Sequence, residues 1–166
     1  MDTIIGLPLE GGMSMNNSAP YSASIIAQWF LFYNNVQMTE ADADLISNLK
    51  LQKLLYYAQG CYLALKGAPL FKEDIEAWEH GPVVPKIYHK YKGYHSNGIE
   101  YQSDYDGSIS NADENILKEV YEQFGQYSAW GLRNMTHHET PWLCTKRNEV
   151  IDLNIISDYF KENYIE

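Results

Sequence analysis

Leu51, Leu54, Leu55, Ala58, Tyr62 and Leu65 recur at intervals of three and four residues, the period that puts side chains on one face of an α-helix. A helix from about Leu49 to Lys66 with one broad apolar face is therefore predicted. Its end is written as clearly as its body. Gly67 suits the left-handed residue that closes a helix, and Pro69 cannot continue one. Such a face has to be covered, so the rest of the chain must supply elements that pack on it. At 166 residues and 45% hydrophobic content the chain can bury a core as one domain without disulfides.

The covering elements can be read in turn. Ile25, Ile26, Trp29, Phe30 and Tyr33 predict a largely buried first helix, and Thr39-Glu40-Ala41-Asp42 resembles a cap before a short second helix or turn. Lys72 to His80 is too short and too charged for a stable helix and reads as a half-exposed strand, broken at Gly81-Pro82. Pro82 or Pro85 then opens a helix carrying Ile87, Tyr88 and Tyr91 that stops near Gly93. Ile99 to Tyr105 alternates in period two and is expected to pair antiparallel with the first strand. Asn111 with Glu114 opens a helix with Ile116, Leu117, Val120, Tyr121 and Phe124 inward, and Ser128 caps a short one through Trp130, Leu132 and Met135. Thr140-Pro141 starts another, and Asp152 or Asn154 begins a last helix with Leu153, Ile156, Tyr159 and Phe160. The expected architecture is mainly α with a small two- or three-stranded antiparallel β-sheet (α+β), a single compact domain at residues 23–166 behind a flexible N-terminal tail at 1–22. Met13 and Met15 leave the start codon open within that tail.

Charge narrows the choice of partner. Lys and Arg number 12 against 22 Asp and Glu, a net charge of −10, which disfavours an electrostatic grip on nucleic acid or an anionic membrane and favours basic partners. Between Glu100 and Glu122 seven acids face Lys118 as the one base, whereas Lys86, Lys90 and Lys92 form a small positive patch with no acid between Pro82 and Gly98. Cys61 and Cys144 fit neither a disulfide framework nor a metal-ligand spacing. With no basic leader and no apolar run of membrane-spanning length, a soluble cytoplasmic protein is expected.

Reaction motifs are missing: no phosphate loop, no dinucleotide fingerprint, no His-Glu-x-x-His and no Cys-x-x-Cys. The run Thr136-His137-His138-Glu139 has the residue types of a metal or acid/base site, but adjacent helical residues diverge, so His137 and His138 cannot both face one ion. Thr136 and Glu139 instead have the spacing of a capping box. Neither catalytic residues, nor a metal, nor a cofactor is expected. The 14 tyrosines supply rigid contact area with a polar tip. Most are expected to line the core with their hydroxyls at the surface, and a minority, with Tyr57, Tyr88 and Tyr91 as candidates, to touch a partner.

The pieces KLQKLLYYAQG, GAPLF, IEAWEHGPVVPKIY and MTHHETPW, in this order and spacing, resemble the Panacea domain, also called SocA-like, over about Ser24 to Tyr164. Carried over residue by residue, the pattern marks Leu54, Tyr57, Gly60, Pro69, Leu70, Phe71, Glu76, Ala77, Trp78, Gly81, Pro82, Val83, Thr136, His137, Glu139, Pro141 and Trp142. Of these, Glu76, His137 and Glu139 are expected to form one buried hydrogen-bond network. Trp78 and Trp142 join the candidate contacts. The resemblance implies a bacterial or phage-associated protein that neutralises a cognate toxin by direct contact, or an adaptor that delivers it to a ClpXP-type protease. The alternative is a DNA-binding regulator of its own operon, with the strand as wing and the Lys86–Lys92 helix as reader.

Overall fold

The computed structural model describes residues 18–166, so most of the tail assigned to 1–22, with Met13 and Met15, lies outside the described residues. Tyr21 and Ser22 lie within them and join the domain. Tyr21 bridges Phe71 and donates its hydroxyl to Asp113, and Ser22 caps the first helix. The elements are α1 (Ala23–Ala41), α2 (Asn48–Lys66), β1 (Glu76–Trp78), β2 (Gly81–Val83), α3 (Pro85–Tyr91) with a 3₁₀ turn at Lys92–Tyr94, α4 (Asn111–Phe124), α5 (Ala129–Thr136), α6 (Thr140–Leu143) and α7 (Leu153–Asn163). The mainly helical architecture with a small antiparallel sheet is the one that the sequence predicts.

The helix α2 is the axis of the domain. It ends, as its sequence says, at Gly67 with φ 71°. It does not, however, have one apolar face and one wet face: every residue from Leu51 to Leu65 is buried. The helices α1, α3, α4, α5 and α7 and the strand β2 all pack on it. Its polar side chains therefore find partners inside the protein, and Gln52, Lys53 and Gln59 satisfy main-chain groups of the segments packed on the helix. Gln59 accepts from Leu70 N at 2.7 Å and donates to Phe71 O at 2.9 Å. Gln52 accepts from Val84 N at 2.9 Å, and Lys53 donates to Pro82 O at 2.9 Å. The loops on either side of the hairpin are thus hung from the central helix.

At Gly60 a methyl group would run into the Phe160 ring of α7, so the α2–α7 approach depends on a residue with no side chain. Gly60→Ala gains helix propensity of about 1 kcal/mol but forces the two helices apart. A net loss of about 1–3 kcal/mol is expected, measured as the shift in urea midpoint against wild type.

The segments at Thr39–Asp42, β1 and Ile99–Tyr105 depart from expectation. Thr39 to Asp42 ends α1 rather than starting a helix: α1 runs to Ala41, and Asp42 takes the left-handed conformation at φ 55°. The partner of β1 is its own neighbour. Glu76 pairs with Val83, Ala77 with Pro82 and Trp78 with Gly81 in a tight hairpin whose Gly81 has φ 107°. The other edge of β1 takes residues 148–151, with Ala77 N on Glu149 O at 2.9 Å and Ile151 N on Ile75 O at 2.8 Å. Ile99 to Tyr105, read as the second strand, is irregular. Its alternation reflects tyrosines laid on α1, since Tyr101 and Tyr105 both pack against Phe32, and Tyr105 donates to Glu114.

Serine begins four of the helices. Ser22, Ser47, Ser110 and Ser128 each accept from the backbone N–H three residues on, and Asp152 accepts from Asn154 N, each satisfying an otherwise orphaned donor. The α4 cap is therefore one residue ahead of Asn111. The capping box read from Thr136 and Glu139 is absent: Thr136 closes α5 with its hydroxyl on Arg133 O, and Glu139 is the N-cap residue of α6, ahead of Thr140-Pro141, with its carboxylate turned elsewhere.

Candidate functional site

The eight candidate residues are not brought to one place. Tyr57 and Glu139 lie in the interior, Glu76, Trp78, Tyr88, His137 and Trp142 lie around the hairpin, and Tyr91 is buried at the end of α3 beside Tyr94. No single network joins Glu76, His137 and Glu139. Glu76 Oε1 accepts from the Trp78 indole at 3.0 Å, while the His137 ring stacks on Trp142 at 3.9 Å and 8°. His138 goes its own way, with Nδ1 against Asn134 O at 2.8 Å.

Glu139 is the centre of a buried clasp. Its carboxylate, 2% exposed, takes the hydroxyl of Tyr56 at 2.9 Å, that of Tyr57 at 3.0 Å and that of Tyr164. Two donors come from consecutive residues of α2 and the third from the residue that caps α7, so one side chain ties α6 to both. Burial pushes the carboxyl up to about 7, although all three phenols act to lower it. Burial and the neighbouring carboxylate raise the three tyrosines in turn. The adjacent doublet Tyr56-Tyr57 on a core helix signals a buried polar acceptor, because two phenols there must both be satisfied.

Lys53 was not among the expected residues, since a lysine in an otherwise regular helix reads as a solvent-side position. It is fully buried. Burial, with the positive charge of Arg133 nearby, lowers it to about 7. Its stem and ammonium occupy the space over Gly81 that a side chain there would need, so the glycine of the hairpin and the lysine of α2 fit each other.

On the surface, the hairpin gathers the aromatic residues. Trp142 donates its indole N–H to Trp78 O at 2.7 Å, which joins α6 to β1. The Arg147 guanidinium lies 3.7 Å from the Trp142 centroid, so with His137 stacked at similar distance the ring is covered on both faces. Burial, then the charge of Arg133, lowers the His137 pKa, and its Nε2 has no hydrogen-bond partner among the described residues. Beside this stack Trp130, 54% exposed, lies under Arg133 at 4.3 Å, and Arg133 Nε donates to His80 Nδ1 at 3.1 Å. The spacing of Trp130 and Arg133, three apart on a helix, is the sequence signal for that pair. A groove of about 520 Å³ opens next to the hairpin between Leu49, Trp78, Val83 and Tyr88, with His80, Lys92 and His95 on its rim.

Residues 51–143 match the model of the family described as antitoxin SocA-like, Panacea domain. The chain belongs to this family. The matched span runs from α2 to the end of α6 and so contains the Glu139 carboxylate, Lys53 and the hairpin with Trp78 and Trp142. Over 56 residues the chain is 50% identical to a protein named Antitoxin SocA from Caulobacter vibrioides (strain NA1000 / CB15N). That stretch is 34% of this chain and 28% of the relative, so the chain matches under a third of the relative's length. No solved structure gives a significant match. No helix of the described residues is long and apolar enough to cross a membrane.

Proposed function

We propose that this Panacea-domain protein is a non-enzymatic, cytoplasmic antitoxin that neutralises a cognate toxin by direct contact. The observation that carries the reading is the family match over residues 51–143. The tertiary structure agrees with it in kind. Several polar groups of the interior are engaged in holding the frame: Glu139 with three phenols, Gln52 and Gln59 with loop backbone. What is left for recognition is the surface that this frame displays. As a DNA reader α3 is poorly placed, because Ile87 and Tyr91 are buried and Lys90 donates to Ser24.

Coexpression with the product of the adjoining gene tests the proposal. The expected result is restored growth and co-purification of the two chains in a fixed ratio. An adjoining product that is toxic alone, stays toxic with this chain present and fails to co-purify with it would overturn the reading.

A further inference from the structure

We infer that the hairpin face, from the groove beside Trp78 across to Trp130, docks a protein segment that presents a large apolar side chain next to carboxylates. The inference deepens the reading of the chain as a protein-binding antitoxin and rests on it.

Tryptophan distribution is the first argument. Trp29 is fully buried in the core, while Trp78, Trp130 and Trp142 all lie around the hairpin and none of them is fully buried. Tryptophan and arginine are the residues most enriched where binding energy concentrates. Trp78 and Tyr88, with ring centroids 5.0 Å apart, form a wall of the groove. The groove's volume lies within the range of about 300–1,000 Å³ in which binding pockets fall.

The lining selects for a macromolecular side chain rather than a polar small molecule. Asn48, the buried polar residue of the lining, already donates to Tyr88 O at 3.1 Å and accepts from Gln52 at 2.9 Å. Both polar atoms of the Asn48 amide are thus already engaged within the fold, and the walls offer apolar area to an anchor residue.

Charge fixes the rest. Lys92 in the groove lining, Arg133 over Trp130 and Arg147 over Trp142 bring three permanent cations to this face, against Glu79 in the groove, Glu76, which is held by the Trp78 indole, and Glu149 on the other edge of β1. Among the described residues Arg133 contacts the His80 ring, Asn134 and Trp130 rather than a carboxylate. Both guanidiniums lie over indole rings, which restricts them before a partner arrives and lowers the ordering cost of binding. This face thus escapes the acidic balance of a chain of net charge −10, whose segment from Glu100 to Glu122 carries seven acids against one lysine. A partner with carboxylates is drawn to the hairpin and turned away from α4. A nucleic acid fits less well, because its grip depends on neutralising many phosphates, and three cations on an acidic chain supply little of that.

Fluorescein-labelled synthetic peptides with a Phe-Leu centre flanked by glutamates, the same centre flanked by lysines, an Ala-Ala centre flanked by glutamates, and an oligo(dT) strand are titrated with the full chain and followed by anisotropy. The glutamate-flanked Phe-Leu peptide is expected to bind saturably and the other three to bind at least about tenfold more weakly. Arg133→Glu and Lys92→Glu should each weaken binding by about tenfold, and Trp130→Ala should do the same at a site too exposed to threaten the fold. Thermal melts near wild type confirm that each variant is folded. No saturable binding of the acidic apolar peptide, equal binding by folded Arg133→Glu and Lys92→Glu, or preferential binding of oligo(dT) would each overturn the docking assignment. A toxin that is neutralised normally by the Trp130→Ala and Arg133→Glu variants would overturn this face while leaving the antitoxin reading intact. A peptide that binds as expected while the adjoining toxin is ignored would remove only the antitoxin reading.

Discussion

Glu139→Ala is expected to cost about 3–5 kcal/mol of folding stability, the largest loss from any single side chain of the surface or interior considered above. The reason lies in what is left behind. Three phenol hydroxyls, those of Tyr56, Tyr57 and Tyr164, converge on the carboxylate in the interior, and a buried donor deprived of its partner costs about 1–3 kcal/mol. Some of that is recovered as the hydroxyls rotate or water enters the space. Urea unfolding at neutral pH measures the loss, and a variant as stable as wild type would show that the clasp contributes nothing. Glu139→Gln separates shape from charge. Burial raises the folded carboxyl from 4.5 to about 7, so between those values the folded state holds a proton that the unfolded chain releases. The contribution is whole below about pH 4.5 and is lost as pH rises through about 7, a fall of about 3 kcal/mol. Wild type minus Glu139→Gln stability, plotted against pH, is therefore expected to decline over that window. A flat difference would mean that the three phenols outweigh burial and keep the carboxylate ionised throughout.

The parts of this fold that were legible in the sequence are those set within a few residues. Gly67 ends α2, Ser128 and Asp152 begin α5 and α7, and Pro85 sits in the first turn of α3. Each of these follows from one residue's own backbone or side-chain chemistry. What was not legible depends on partners far along the chain. Tyr56 and Glu139 are separated by 83 positions and Trp142 and Trp78 by 64, and nothing local to either member specifies the other. The third strand-like segment at 148–151 is short and polar at its start, so its pairing with Ala77 has no period to betray it. The period at Ile99 to Tyr105 is real but has another cause, tyrosines covering α1. For the candidate site, the motif residues Trp78, His137, Glu139 and Trp142 were visible as types worth explaining. Which of them frame the interior and which face outward was decided by the burial of α2 on all sides, a tertiary fact.

Lys53→Met is expected to abolish a rise in stability between about pH 7 and pH 9 that wild type shows. Lys53 is fully buried with Pro82 O as its hydrogen-bond acceptor, and burial, then Arg133, lowers it from 10.5 to about 7. Here the unfolded chain holds the proton that the folded state gives up, so stability increases with pH from about 7 towards 10.5. Over the accessible part of that window the increase is about 2–3 kcal/mol. The Glu139 and Lys53 contributions therefore have opposite slopes on either side of neutrality, and together they place a trough in wild-type stability near pH 7. Methionine matches the length of the lysine stem, removes the charge and leaves Pro82 O without its donor, at a cost of about 1–3 kcal/mol. It also removes the burden of an ammonium in a dry interior, which replacement by an apolar side chain commonly offsets. Near pH 7 the two effects nearly cancel, so the variant should fold, and its stability should be level where wild type climbs. Chemical unfolding at pH 7, 8 and 9 reads the slope directly, and a variant that keeps the wild-type rise would assign it to another group. The consequence reaches the surface, because Lys53 holds Pro82, and Pro82 belongs to the hairpin that carries Trp78. If the hairpin face docks a partner, loosening this inner hydrogen bond should weaken the docking by less than Arg133→Glu does, since it disturbs the support and leaves the contacting groups in place.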